Sequence, residues 1–192
     1  MVFSSGDGSI SVWSIPEFNL LFQTQIGEGK NRKLAYTEEK KELAVSSADG
    51  FVQVLNTEDW SKKQTITPLE SGANALLYYD SNLLIGTKNA HLHKFNLITQ
   101  LKEKEIPAHN WAVYDLVCNT ELNLIASASR DKTVKIWDAE SLKVLKRFEG
   151  FKEKGHTHSV NALHWSTYNN LLVSAGDDKV IRIWEIKRNI ID

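Results

Sequence analysis

An all-β fold of repeated four-stranded antiparallel units is predicted for this chain by three observations. A short phrase recurs: small residues, a turn Asp or Asn, a short apolar strand, then an aromatic residue or Leu. It returns at a nearly fixed period, and the segments between copies divide into short strands at turn-type residues. The phrase runs from Asp7 to Trp13, Asp49 to Leu55, Asn89 to Phe95, Asp131 to Trp137 and Asp178 to Trp184, always six positions from turn residue to anchor. Successive anchors are 42, 40, 42 and 47 residues apart. A period in the forties made of β-type segments is the sequence signature of β-propeller blades.

The strands follow in order. The repeat starting near residue 110 divides into strand a (112–118), strand b (122–129), strand c (133–137) and strand d (143–148), with Asn119-Thr120-Glu121, Arg130-Asp131 and Ala139-Glu140-Ser141 in the turns. Residues 33–68 and 73–106 divide the same way, with 45–47 and 84–87 as b strands and 51–55 and 91–95 as c strands. The chain opens on b (2–5), c (9–13) and d (20–25), and closes on a (160–165), b (171–175) and c (180–186). The count is 18 strands, or about 4.5 blades: 1–26 (partial), 27–68, 69–107, 108–149, and 150–192 lacking its outer strand. Most strands are apolar on both faces, as sheets packed on both sides require. Pro16, Pro68 and Pro107 fall at loop positions, and 150–155 reads as an extended loop that lengthens the last spacing.

Bulk composition narrows the function classes. The 192 residues carry a net charge of −1, so no broad field points to nucleic acid or an acidic membrane. No apolar run approaches the roughly 18–20 residues of a membrane-spanning helix. The start lacks the basic and apolar regions of a signal peptide. With one cysteine, Cys118, an internal disulfide is impossible. A reducing, cytoplasmic location is expected, with Cys118 as a small hydrophobe near a strand end.

Two stretches carry a family resemblance. They are Gly155-His156 … Val173-Ser174-Ala175-Gly176-Asp177-Asp178 … Ile183-Trp184-Glu185 and Ala108-His109 … Ala126-Ser127-Ala128-Ser129-Arg130-Asp131 … Ile136-Trp137-Asp138, each with 28 residues from His to Trp. In these the chain resembles WD-repeat β-propellers, strongly in the last two repeats, clearly in the first, and weakly in the middle two. The resemblance implies a buried hydrogen-bonded tetrad per repeat: here His109, Ser127, Asp131, Trp137 and His156, Ser174, Asp178, Trp184. In the middle repeats Val45 and Ile85 stand at the Ser position, and Leu55 and Phe95 at the Trp position, so apolar packing is expected to hold those blades. Phe3 stands at the Ser position of the first. The resemblance further implies a seven-bladed ring, with roughly 100–120 residues upstream. The isolated chain is then expected to self-associate through open sheet edges.

Chemistry is weighed against this frame. A His–Ser–Asp set suggests a hydrolase, but the set recurs at structural positions, and neither a Gly-x-Ser-x-Gly elbow nor a phosphate loop is present. His156-x-His158 and His91-x-His93 lack an acidic or Cys partner at ligand spacing, so no metal or other cofactor is expected. In WD-repeat proteins the turns before the tetrad Asp and after the His open onto one face near the axis. Here they carry Lys88, Arg130, Asp177, Asn110, Trp111 and His158, the candidate partner-binding residues. Trp and Arg are frequent binding anchors. Trp111 is either such an anchor or packed on a neighbouring blade. The expected function is a non-catalytic protein–protein interaction scaffold, its partner another protein or peptide, with neither nucleic-acid binding nor membrane insertion. The alternatives are an accessory propeller of a multidomain enzyme, or a ligand or metal pocket at the channel mouth.

Overall fold

The structure is a computed structural model that describes residues 2–67, 69–150 and 153–186. Pro68 and part of the expected 150–155 loop lie outside the described residues, as does 187–192. Eighteen strands are present among the described residues, in five antiparallel sheets. The first sheet holds β1 (Val2–Ser5), β2 (Ser9–Trp13) and β3 (Leu20–Gln25). The second holds β4 (Asn31–Thr37), β5 (Glu42–Ser47), β6 (Val52–Asn56) and β7 (Lys62–Ile66). The third holds β8 (Ala73–Tyr79), β9 (Asn82–Thr87), β10 (His91–Asn96) and β11 (Leu101–Pro107). The fourth holds β12 (Val113–Asn119), β13 (Leu124–Ser129), β14 (Val134–Asp138) and β15 (Val144–Phe148). The fifth holds β16 (Val160–Trp165), β17 (Leu171–Gly176) and β18 (Ile181–Glu185). Strands pair in sequence order within every sheet, as in the blades of a β-propeller.

The blades meet on their flat faces. Strands β4, β8, β12 and β16 lie side by side in chain order, so each is the inner strand of its blade. Four apolar cores fill the seams. Ile10 and Ile26 meet Leu43, Val45 and Leu55; Ala44, Val52 and Val54 meet Leu76, Leu83 and Ile85. Leu84 and Leu92 meet Leu116, Ile125 and Trp137; Ala126 and Ile136 meet Leu163, Leu172 and Trp184. Burying each large side chain contributes about 1.5–3 kcal/mol. Phe148 extends the last seam by packing its ring 4.3 Å from that of Trp184. The middle blades, where the tetrad residues are replaced, put Val45, Leu55 and Ile85 fully into these seams. Half-buried Cys118 packs against the third seam, and burial pushes its thiol pKa up.

Two local devices repeat from blade to blade. After each turn Asp or Asn, the next residue takes a left-handed conformation: Gly8 (φ 74°), Gly50 (84°), Ala90 (71°), Lys132 (73°) and Lys179 (62°). Glycine adopts it without steric cost; the other three are strained by on the order of 1 kcal/mol or more. The second device is a register shift near the start of each inner strand, between Asn31 and Lys33, Ala73 and Ala75, Val113 and Asp115, and Val160 and Ala162. One extra residue sits in each bulge: Arg32, Asn74, Tyr114 and Asn161.

Candidate functional site: the mouth of the channel

In the fourth and fifth blades, hydrogen-bonded networks fix the turns that border the channel. Trp137 Nε1 donates to Ser127 Oγ at 2.8 Å, and Ser127 Oγ lies 2.7 Å from His109 Nε2. His109 Nδ1 lies 3.0 Å from Asp131 Oδ2. The Asp131 carboxylate can only accept, so the neutral ring carries its proton on Nδ1, pointing at Oδ2. Nε2 then accepts the Ser127 hydroxyl, whose oxygen accepts the indole N–H. Trp184, Ser174, His156 and Asp178 repeat the chain at 2.9, 2.8 and 2.9 Å.

The electrostatics fit that assignment. Burial lowers the pKa of His109 despite the attraction of Asp131, which keeps the ring neutral. Burial alone would raise Asp131, but hydrogen bonds from His109, Thr133 and the Asn110 backbone N–H hold it well below the usual range. Burial also opposes ionisation of Asp178, yet His156 and the N–H groups of Thr157 and Val180 bring its pKa down to about 2. Ser127 and Ser174 are 0% exposed, so neither hydroxyl is placed to attack a substrate. Each network ties the strands and turns of its own blade together, and every polar group along it has a partner.

These turns present a ring of side chains at one end of the channel. In the second to fifth blades the residue before the turn Asp or Asn is pinned by its own N–H to a carbonyl ahead of the inner strand. Ala48 donates to Lys30 at 2.8 Å, Lys88 to Gly72 at 2.9 Å, Arg130 to Ala112 at 3.0 Å and Asp177 to Ser159 at 2.9 Å. Lys88 and Arg130 border a cavity of about 440 Å³, completed by Arg32, Asn74, Ala112, Tyr114 and Asn161. All four residues in the inner-strand bulges are among these. A bulge re-aims a side chain that regular pairing would send elsewhere; here four successive blades aim one residue each into the same opening.

The other candidates sit around this rim. Trp111 is 58% exposed, and the Arg130 guanidinium carbon lies 5.1 Å from the centre of its ring. Asn110 is exposed and gives its backbone N–H to Asp131. His158 is exposed, with its ring nitrogen 3.1 Å from the Thr157 hydroxyl. Asp177 accepts from Asn161 Nδ2 at 2.5 Å. Sequence reasoning missed Arg32, Asn74, Tyr114 and Asn161. The only trace of them is a slip in apolar–polar alternation near the start of each inner strand. Among the described residues, no group of three His, Cys, Asp or Glu side chains is arranged to hold a metal ion.

Comparisons with known proteins agree with the geometry. Residues 100–138 and 144–185 match the WD40 family model, "WD domain, G-beta repeat". The chain is 30% identical over 154 residues to apoptotic protease-activating factor 1 of Rattus norvegicus, covering 78% of this chain and 12% of that protein. It is 23% identical over 207 residues to the WD repeat-containing protein 55 homolog of Drosophila simulans, covering 84% of this chain and 40% of that one. The chain thus spans less than half the length of either relative. Among solved structures, a chain of a mitotic checkpoint complex superposes with a TM-score of 0.85 at 20% identity, over 95% of this chain and 58% of that one. The computationally designed Ika8 protein superposes with a TM-score of 0.79 at 22% identity, over 95% and 54%. The tetrads, the blade order and these matches agree: the chain carries WD40 repeats within 100–185 and folds as blades of a β-propeller.

Proposed function

We propose that this chain is a protein-interaction scaffold without catalysis of its own, and that it takes a partner protein or peptide at the channel mouth. The observation that carries this reading is the convergence of four inner-strand bulges and two pinned turns on one cavity. The Trp111–Arg130 stack beside it supplies an exposed anchor of the type that dominates binding interfaces. Burial of both tetrad serines supports the absence of catalysis. WD-repeat propellers generally bind other proteins, and the similarity to a chain of a mitotic checkpoint complex fits a protein partner. The lone Cys118 supports a reducing, cytoplasmic setting.

The test is quantitative capture of partners from extract by the full chain and by Trp111→Ala/Arg130→Ala. Loss of an anchor pair typically costs on the order of 2 kcal/mol or more in binding. Proteins retained by the wild type and lost by a folded double variant support the reading. Equal retention by both moves the site away from the mouth, to the blade sides.

A further inference from the structure

We infer that the channel mouth is a receptor for an acidic peptide segment, an inference that rests on the mouth being the partner-binding face. Three cationic side chains border the opening from three successive blades: Arg32 from the β4 bulge, Lys88 after β9 and Arg130 after β13. The other bordering residues, Asn74, Ala112, Tyr114 and Asn161, bear no charge, and no carboxylate is among them. Among the described residues, none of the three cations forms an ion pair within 4.0 Å.

The nearby acids do not cancel this charge. Asp115 is occupied by Lys33 at 2.7 Å and by the Leu163 N–H at 2.8 Å. Asp177 is bound to Asn161 on the fifth-blade side, and the charged residues that line the cavity itself are the three cations. The chain as a whole carries a charge of −1, so three convergent cations are a local feature and not a general basicity. Like charges gathered around a concave opening focus the field and raise the local concentration of anions.

The chemistry of the lining favours carboxylates on an extended chain. Arg32 and Arg130 offer planar forks that match a carboxylate with two hydrogen bonds. Trp111 holds one face of the Arg130 guanidinium and leaves its edge for a ligand. Asn74, Tyr114 and Asn161 supply amide and hydroxyl groups suited to peptide N–H and C=O. A cavity of about 440 Å³ suits a few residues of peptide. Nucleic acid fits less well, because three cations fall short of the roughly 6–10 phosphate contacts that dominate such binding.

The experiment is fluorescence anisotropy with the full chain and three labelled probes: a Glu-rich peptide, a Lys-rich peptide and a single-stranded oligonucleotide. The proteins are the wild type, Lys88→Glu/Arg130→Glu, and the control Lys62→Glu on the exposed outer strand β7, each first shown to melt cooperatively. The expected result is saturable binding of the Glu-rich peptide alone, weakened by salt, at least about tenfold weaker in the double variant and unchanged in the control. Absence of Glu-rich binding, equal loss in the control, or oligonucleotide binding of equal strength overturns the inference. If the peptide fails while partner capture still depends on Trp111 and Arg130, the mouth serves a partner of other chemistry and only the acidic-peptide inference falls. If capture is also independent of them, both readings fall.

Discussion

Lys33 Nζ on β4 lies 2.7 Å from Asp115 Oδ1 on β12, an ion pair that skips the blade between them. The other oxygen of Asp115 accepts the N–H of Leu163 on β16 at 2.8 Å. One side chain of the fourth blade therefore ties to the second and the fifth. Only strands facing a common axis allow this. Both residues directly follow an inner-strand bulge, so the register shift that aims Arg32 and Tyr114 into the mouth also sets this tie.

Asp115→Ala should destabilise the chain by roughly 1–3 kcal/mol, because the buried Leu163 N–H loses its acceptor. Lys33→Met should cost less, since the lysine is partly exposed. Chemical denaturation of both single variants and the double variant tests the pair directly. Strict additivity would mean that the two side chains do not interact.

Asp178→Ala and His156→Ala should each cost roughly 1–3 kcal/mol by leaving a buried partner unsatisfied. Asp177→Ala, one position away and exposed, should change stability by no more than about 0.5 kcal/mol. Equal melting temperatures for Asp177→Ala and Asp178→Ala would contradict the division between turn and network.

The blades without a tetrad should respond differently. Leu55→Ala removes a fully buried side chain from the seam between the first two blades and should cost about 2–5 kcal/mol through the cavity it leaves. Ser127→Ala in the fourth blade removes little volume but orphans Trp137 Nε1 and His109 Nε2, at roughly 1–3 kcal/mol. Urea unfolding of the two variants compares an apolar seam between blades with a polar network inside one blade.

The pH dependence follows from buried groups. His93 and His109 both have pKa values lowered by burial. Unfolding raises each toward about 6.5, so the unfolded chain binds more protons below that pH. Their contribution to stability is present above about pH 6.5 and declines as the pH falls. Asp131 and Asp178 act lower down: their pKa values are depressed in the fold, Asp178 to about 2. Stabilisation from Asp178 is complete above about pH 4 and is lost as the pH falls through about 2. A melting temperature that is flat from pH 7 to pH 5 would contradict the histidine part. The His109→Gln variant should flatten that limb.

The blades were legible because each turn must be made with a small vocabulary. A turn Asp followed by a residue in the left-handed region, then a strand ending on a large anchor, leaves the same trace five times. Val2–Ser5, Ser9–Trp13 and Leu20–Gln25 are found where the sequence places them, while β13 begins at Leu124, two residues after the expected start. There the turn continues through Asn123, whose left-handed φ of 54° closes it. The bulges were not legible. A bulge inserts one residue without demanding Gly or Pro, so Arg32, Asn74, Tyr114 and Asn161 share a position but not one residue type. Nor was the Lys33–Asp115 pair, since nothing local links two charges on strands two blades apart. The turn residues of the mouth could be read from repeat position; the residues aimed by backbone irregularity could not.

The most direct measurement of the central claim is hydrogen exchange of the full chain, alone and bound to a partner identified by capture. Binding at the mouth predicts new protection in the turns after β9 and β13 and at the start of inner strands β4, β8, β12 and β16, with the outer strands β7, β11 and β15 unchanged. Protection confined to those outer strands, with the mouth exchanging as in the free chain, would contradict it.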